Sequence, residues 1–428
     1  MTEQVTPPKG IGSMAKREMR LAYAMLLPTF AIVLSIVLFP LLANFWISFK
    51  PVQLADLRQA EIKINEQLRP KPMAAGEDVI LRYRVRNSSQ KDPVSDVFLR
   101  DIIPAGLIIG AVPEICNLEE RELSCDLGDQ EAGSRLEIKI PVTVEQSYLD
   151  AGIRPKDLPM QVSGTSTNAL TSFDFTFDNF RKVFASSDFW SVLRVSLYYT
   201  IFGTAGALIL GLFAAQLLNT AFFGRNVLRG LFLFPYVAPV IAVAFAWVLL
   251  LDAGPGGTFN AMLQSMGASD GPINFLGQRS IPFTVFGFTL EFPMALTTVI
   301  LFEAWRYFPL SFLFILARMQ SLSSDMYEAA EIDGATPLQQ FWFISLPQLM
   351  GILAVLFLLR FIWTFNKFDD IFLLTGGAAG TRTLTVDVYE QAFAVSNLGA
   401  GAAVAVVVFI VLLFFALVFF KFSPQDDG

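Results

Sequence analysis

Two largely apolar stretches keep charged side chains: Glu303 and Arg306 within residues 292–317, and Arg360 and Lys367 within residues 348–372, the second of which also holds Asp369-Asp370 near its end. A charge in hydrocarbon is costly, so one that is kept there is a candidate for handling a solute or an ion. Glu303 and Arg306 are three residues apart and on a helix can neutralise each other. Arg360 and Lys367 are seven apart and share a helix face. Other chemistry is excluded by composition. The 428 residues include no histidine, which removes His acid–base catalysis, Ser–His and Cys–His nucleophile pairs and nearly all zinc sites. No G-x-x-x-x-G-K-[ST] occurs, and the glycines of TGGAAGT (375–381) lack its lysine. Asp369-Asp370 is the one carboxylate pair near an interface, and it is expected to cap the outer end of the fifth span. No catalytic residue and no metal site is expected.

These side chains need a membrane scaffold to hold them. The chain is 54% hydrophobic, with a mean hydropathy of +0.53, more apolar than a soluble domain of this length needs. Residues 21–49, 195–224, 230–251 and 391–420 contain no Asp, Glu, Lys or Arg. A helix crosses the ~30 Å hydrocarbon layer with roughly 20 apolar residues, so each of the four can span. With 292–317 and 348–372 they make six spans. The first is too long for a signal-peptide core and lacks an A-x-A site, so it reads as retained. Lys9, Lys16, Arg17 and Arg20 precede it, Arg225 and Arg229 lie between spans 2 and 3, Arg318 follows span 4, and Lys421 ends span 6. The opposite short loops hold only Arg279 and Arg382. The excess of Lys and Arg places both termini, and the loop at 319–347, in the cytoplasm.

Residues 51–172 differ in composition. They hold 33 of the chain's 69 charged residues and no apolar run long enough to span, so they read as a soluble domain on the outer side. In VILRYRVRN (79–87), Val79, Leu81, Tyr83 and Val85 alternate with Ile80, Arg82, Arg84 and Arg86, and LEIKIPVTV (136–144) alternates in the same way. Period two, with turns expected at Pro104-Ala105-Gly106 and Gly128-Asp129, predicts a small antiparallel β-sandwich. Cys116 and Cys125 both lie here. Outside the cytoplasm a pair closing a short loop reads as a disulfide, the alternative being two free buried thiols. The scattered charges of the domain read as a solvated surface.

The polar stretch EAAEIDGATPLQQFWFISLP (328–347) lies between two spans. Ser324 and Asp325 suit a helix start, Tyr327 to Ile332 a short helix, and Gly334 a left-handed helix end. Thr336-Pro337-Leu338-Gln339 offers a second start with Thr as cap and Gln three residues on. The expected result is helix, glycine elbow, helix, with Ala329, Ala330, Phe341, Ile344 and Leu346 forming an apolar face. That face could dock on a protein or lie on lipid headgroups.

The spacing Glu328-Ala329-Ala330, Gly334, Ile344-x-Leu346-Pro347 resembles the EAA loop of ABC-importer permeases. MYEAAEIDGATPLQQFWFISLP, LLPTF…VLFPLLANFWISF (26–49), FTFDNFRKVF (175–184), NVLRGLFLFPYVAPVIAVAFAW (226–247) and FNKFDDIFLLTGG (365–377) are similar to the sugar-importer branch of maltose-permease type. The resemblance covers residues 20–50 and 173–421, and implies a type I importer permease: an all-α polytopic membrane protein with six core transmembrane helices and an inserted extracytoplasmic β-sandwich. The insertion resembles, over 76–145, immunoglobulin-type repeats of bacterial surface proteins. The organisation implied is a cytoplasmic tail 1–20, a first span 21–50, the periplasmic insertion 51–172, the permease core 173–421 and a cytoplasmic tail 422–428, all at the bacterial inner membrane.

The resemblance also implies partners: a second permease in a heterodimer, an ATPase dimer, a periplasmic solute-binding protein, a carbohydrate solute and membrane lipid, with no nucleic acid. It implies no cofactor in this chain, since ATP and magnesium belong to the ATPase. Glu328, Ala329, Ala330, Gly334, Ile344, Leu346 and Pro347 would couple to that ATPase. Tyr236, Val240, Glu303, Arg306, Tyr307, Arg360, Thr364 and Lys367 fall where such permeases line the sugar site or its edge. The family's small or amide residues are replaced here by Glu303, Arg360 and Lys367, which points to a charged or smaller glycoside, or to a solute held by the partner permease. Two rival functions are a sensor whose outer domain signals through the loop and a membrane-embedded enzyme acting on lipid-linked substrates. The identity of the solute is not legible in the sequence.

Overall fold

The computed structural model describes residues 13–422 except 58, 255, 270, 286 and 287. Residues 1–12 of the expected N-terminal tail and 423–428 of the C-terminal tail lie outside the described residues. The chain divides into two compact units, residues 50–176 and the remainder.

In the unit comprising residues 1–49 and 177–428, five helices among the described residues are long and apolar enough to cross a bilayer. They are α1 (Met14–Ser48), α2 (Phe189–Asn219), α5 (Met294–Gln320), α7 (Pro337–Phe365) and α9 (Leu398–Phe422). Between α2 and α5, α3 (Arg225–Val237) and α4 (Val240–Leu250) meet at 92°. The expected span at 230–251 falls on this bent pair. Pro239 lacks an amide hydrogen and removes a backbone donor at the bend. The short helices α6 (Ser324–Ile332) and α8 (Asp369–Thr375) complete the site's scaffold.

Helix α2 packs along α5 with a seam of small residues. A β-carbon on Gly203 would lie 2.8 Å from Glu303 Cγ, and one on Gly211 2.7 Å from Ser311 Cβ and 2.8 Å from the Phe312 amide. Glycine at these two positions lets the backbones approach closely, which drives helix association where lipid is as apolar as the side chains. Phe312, Ile315, Ala215 and Leu218 are buried along the same contact.

The described residues of the second unit form eight strands in two antiparallel sheets. One has the order β1 (Ile62–Arg69), β2 (Asp78–Asn87), β7 (Arg135–Val144), β4 (Leu107–Ile109); the other is β5 (Cys116–Glu119), β6 (Glu122–Gln130), β3 (Val94–Ile102), β8 (Gln161–Ser166). The two alternating sequences pair directly, with Val79 opposite Val142 and Tyr83 opposite Ile138. Their inward residues join Leu99, Leu123 and Cys125 from the other sheet in one core. Gly128-Asp129 is not a turn. It lies inside β6, where Gly128 has φ +59° at a register shift against β3, a bulge that bends the strand. Cys116 and Cys125 pair across β5 and β6 and are disulfide-bonded.

Candidate functional site

Helix α5 supplies Glu303, Arg306 and Tyr307 to the centre of the membrane unit, but the two charges do not pair with each other. Glu303 is fully buried. Its Oε1 accepts from Arg360 Nη2 of α7 at 2.6 Å and from Thr364 Oγ1 at 2.8 Å, and its Oε2 accepts from Tyr199 Oη of α2 at 3.0 Å. One carboxylate thus ties three helices. An uncompensated ion at such depth would cost several kcal/mol, and the close Arg360 contact with two hydroxyl donors supplies the compensation. Thr364 is fully buried and Arg360 1% exposed, so in this structure Glu303, Arg360 and Thr364 offer a solute no surface.

Arg306 turns the other way. Its Nη1 donates to the Pro235 carbonyl at 3.2 Å and its Nη2 to the Ala238 carbonyl at 3.0 Å. These carbonyls flank the bend between α3 and α4, where the helical bonding pattern is interrupted. A guanidinium fork re-satisfies the freed backbone, the condition under which a broken helix is tolerated in a membrane. Arg306 Nε also lies 3.9 Å from Asp370 Oδ1. Asp370 was expected to cap a span end. Instead it sits in the first turn of α8, fully buried, with Lys367 Nζ 3.8 Å from its other oxygen. Lys367 does not share a helix face with Arg360, because α7 ends at Phe365.

Tyr307 joins the two halves of this cluster. Arg360 Cζ lies 4.7 Å, Lys367 Nζ 4.1 Å and Arg306 Cζ 5.5 Å from its ring centroid. Lys367 Nζ also donates to its hydroxyl, as does Arg306 Nε at 3.3 Å. Three cations against one ring exploit its negative face. Tyr307 is itself buried, whereas Tyr236 stands edge-on to it at 6.1 Å and is 42% exposed. Val240 is half-buried at the start of α4. Tyr236, Val240 and Lys367 are therefore the members of the expected solute path that retain accessible surface. Sequence reasoning missed Tyr199 and misassigned Asp370. A polar Tyr in a charge-free span was the available signal for the first, and no sequence signal distinguishes the second from a helix cap.

The loop between α5 and α7 has the expected helix–elbow–helix form, shifted by one residue at its start. The N-cap is Ser323, whose Oγ accepts from the Asp325 amide. At the other end of α6 the Ala335 amide donates to the Ala330 carbonyl at 2.8 Å and the Gly334 amide to the Glu331 carbonyl at 3.0 Å. This pair of bonds is a Schellman ending, which requires a left-handed residue, and Gly334 has φ +82°. Thr336 and Gln339 then form a reciprocal capping box. The second helix is the start of α7 itself, which runs from Pro337 through a π-helical turn, Phe341–Ser345, on to Phe365. Tyr327 Oη and Ser345 Oγ, 3.0 Å apart, pin α6 to that junction. Glu328, Ala329, Gly334 and Pro347 are exposed, while Ala330, Ile344 and Leu346 are half-buried. Ile332, Leu338 and Phe343 are 87%, 67% and 78% exposed, an apolar surface on a rigid elbow.

Comparison with known proteins agrees with this architecture. Residues 207–424 match the family described as "Binding-protein-dependent transport system inner membrane component". The inner membrane ABC transporter permease protein YcjO of Escherichia coli (strain K12) is 35% identical over 234 residues, covering 55% of this chain and 74% of that relative. The trehalose/maltose transport system permease protein MalF of Thermococcus litoralis is 33% identical over 244 residues, covering 57% and 77%. In fold, the chain is similar to a bacterial ABC transporter involved in the import of the acidic polysaccharide alginate, with a TM-score of 0.50 at 22% identity over 60% of this chain and 87% of that one. With this fold, these apolar helices and this family match, the chain belongs to the inner membrane components of binding-protein-dependent transport systems, the ABC transporter permeases.

Proposed function

We propose that the chain is one permease subunit of an ATP-driven importer for a di- or oligosaccharide or glycoside. It works beside a second permease, an ATPase dimer carrying the ATP and magnesium, and a periplasmic solute-binding protein. The relatives named for maltose and trehalose transport support the solute class. In this reading α3 and α4 together make one span, giving six, and both termini and the 319–347 loop face the cytoplasm. Residues 51–172 form an immunoglobulin-type sandwich outside, between the first span and the core at 173–421.

The observation that carries the reading is the elbow at Gly334. Its helix α6 is capped at both ends, presents Glu328 outward, and is tied to α7 by the elbow and by the Tyr327–Ser345 hydrogen bond. A push on α6 by the ATPase is therefore a push on α7, the helix that holds Arg360 and Thr364 against Glu303. Closure of the ATPase dimer would rock the spans between inward- and outward-open forms. The solute path runs past Tyr236, whose ring offers a face for a sugar, with Val240 and Lys367 beside it. Glu303, Arg306, Tyr307, Arg360 and Thr364 set the shape of that path from behind.

The test is transport by reconstituted complex. Glu328→Lys, or Gly334→Asp, leaves the protein in the membrane but separates ATP hydrolysis from uptake. Normal uptake by either variant would refute the coupling role. Tyr236→Ala raises the KM for uptake with ATPase stimulation by other routes intact.

A further inference from the structure

The β-sheet unit has a polarity that transport does not use. Residues 50–176 carry 15 basic and 20 acidic residues, yet seven of the cations gather beside one sheet edge. Two cavities, of about 560 and 810 Å³, run along β1 and share Asn65, Glu66 and Lys156 as lining. Lys63, Arg84 and Arg86 line the first, with Lys63 opposite Arg86 and Asn65 opposite Arg84 in the sheet register. Arg69, Lys71 and Arg154 line the second. All seven cations are exposed. Glu66 is the one acidic residue lining either cavity, and burial holds its pKa up at about 8, so it adds no charge at neutral pH.

Arg154 is paired with Asp157 at 2.9 Å and Arg84 lies 3.6 Å from Glu137. Lys63, Arg69, Lys71, Arg86 and Lys156, however, make no ion pair among the described residues, and like charges on neighbouring strands, as at Lys63 and Arg86, destabilise a sheet unless an anion joins them. Each cavity is of ligand size. From Lys63 to Arg69 an extended strand covers about 20 Å, too far for the cations to converge on one small anion. The ligand must carry several charges along its length. Arginine forks suit carboxylates, the Asn65 and Gln67 amides suit hydroxyls, and Ile153, Leu158 and Met160 give apolar contact. The turn Pro155–Asp157 packs against β1, which blocks addition of a peptide strand to that edge and leaves recognition to side chains.

We infer that this groove binds an acidic oligosaccharide, its carboxylates held by Lys63, Arg84 and Arg86 at one end and Arg69, Lys71 and Arg154 at the other. The site is separate from the solute path in the helices, and its existence does not depend on the transport reading.

The test uses the full chain in nanodiscs of zwitterionic lipid, titrated with tetragalacturonate. Binding is expected at low salt, weakened at least tenfold by 0.5 M salt, with maltotetraose giving none. Arg84→Glu combined with Arg86→Glu lowers affinity at least tenfold. Because Arg84 also contacts Glu137, Lys156→Glu serves as a second variant on an exposed turn, with at least a threefold loss. No binding of tetragalacturonate, equal binding of maltotetraose, or an affinity unmoved by both variants would overturn the inference. Equal competition by tetraglutamate or by phosphatidylglycerol vesicles would also overturn it, assigning the groove to acidic peptide or to lipid phosphate.

Discussion

Each unit of this protein buries a cluster of ionisable groups, and the two clusters solve the same problem in opposite ways. In the helical unit, Glu303 and Asp370 face Arg360, Arg306 and Lys367, drawn from α5, α7, α8 and the link between the last two. Here carboxylates are met by cations, two against three, and the contacts link different elements. In the sheet unit, Glu66 and Asp101 lie together with Tyr83, whose hydroxyl donates to Asp101 at 2.6 Å. Among the described residues no cation enters that cluster. Burial, and then the charge of Asp101, push the Glu66 pKa from 4.5 up to about 8, so the strain is relieved by keeping a proton. The first arrangement makes the relative placement of helices depend on specific partners. The second makes stability depend on pH.

The comparison breaks most severely at Glu303. Glu303→Ala strands the Arg360 guanidinium without a partner, and loss of one member of a buried pair costs about 3–5 kcal/mol. The purified variant should melt well below the parent in detergent. Replacing both residues, Glu303→Leu with Arg360→Met, should recover most of the difference; an unchanged melt for Glu303→Ala alone would show that the pair contributes nothing.

The sheet cluster yields a smaller effect with a defined sign. The folded domain binds about one proton more than the unfolded chain between pH 4.5 and about 8, so its stability is full below that window and falls as pH rises through it. Glu66→Gln should flatten this dependence and gain on the order of 2 kcal/mol at pH 8.5, after allowance for solvent at the rim of the cluster. Chemical denaturation followed by Trp-independent far-UV signals at pH 5 and 8.5 measures it, and a parent curve that rises with pH would reverse the assignment. Smallest is Arg306→Lys, which keeps the charge but loses the fork onto Pro235 and Ala238. About 1–2 kcal/mol is expected, with protease access at the bend as readout. Equal stability would mean the bend holds without the fork.

The sequence alone determined much of the fold. Charge-free runs longer than 20 residues mark α1, α2 and α9, because hydrocarbon tolerates little else. The alternation around Tyr83 and Ile138 gives two strands, since a pleated strand turns alternate residues to one face. The cap residues Thr336 and Gln339 and the elbow at Gly334 could be read because helix ends are local events, settled within five or six residues. The EAA spacing placed the chain among importer permeases for the same reason: its elements are contiguous.

What only the tertiary structure decided is which distant groups meet. Local spacing offers Arg306 to Glu303, but the closer and better-desolvated partner, Arg360, lies 57 residues on. Arg306 is released to hold a bend whose carbonyls lie about 70 residues earlier. Asp370 looks like a helix cap until α8 folds under α5. The groove beside β1 is equally hidden, since its cations come from positions 63 to 156 and spacing within one segment carries no record of the others. Side-chain partners are selected by packing across elements, where desolvation makes the difference between one ion pair and another several kcal/mol, and that difference is invisible along the chain.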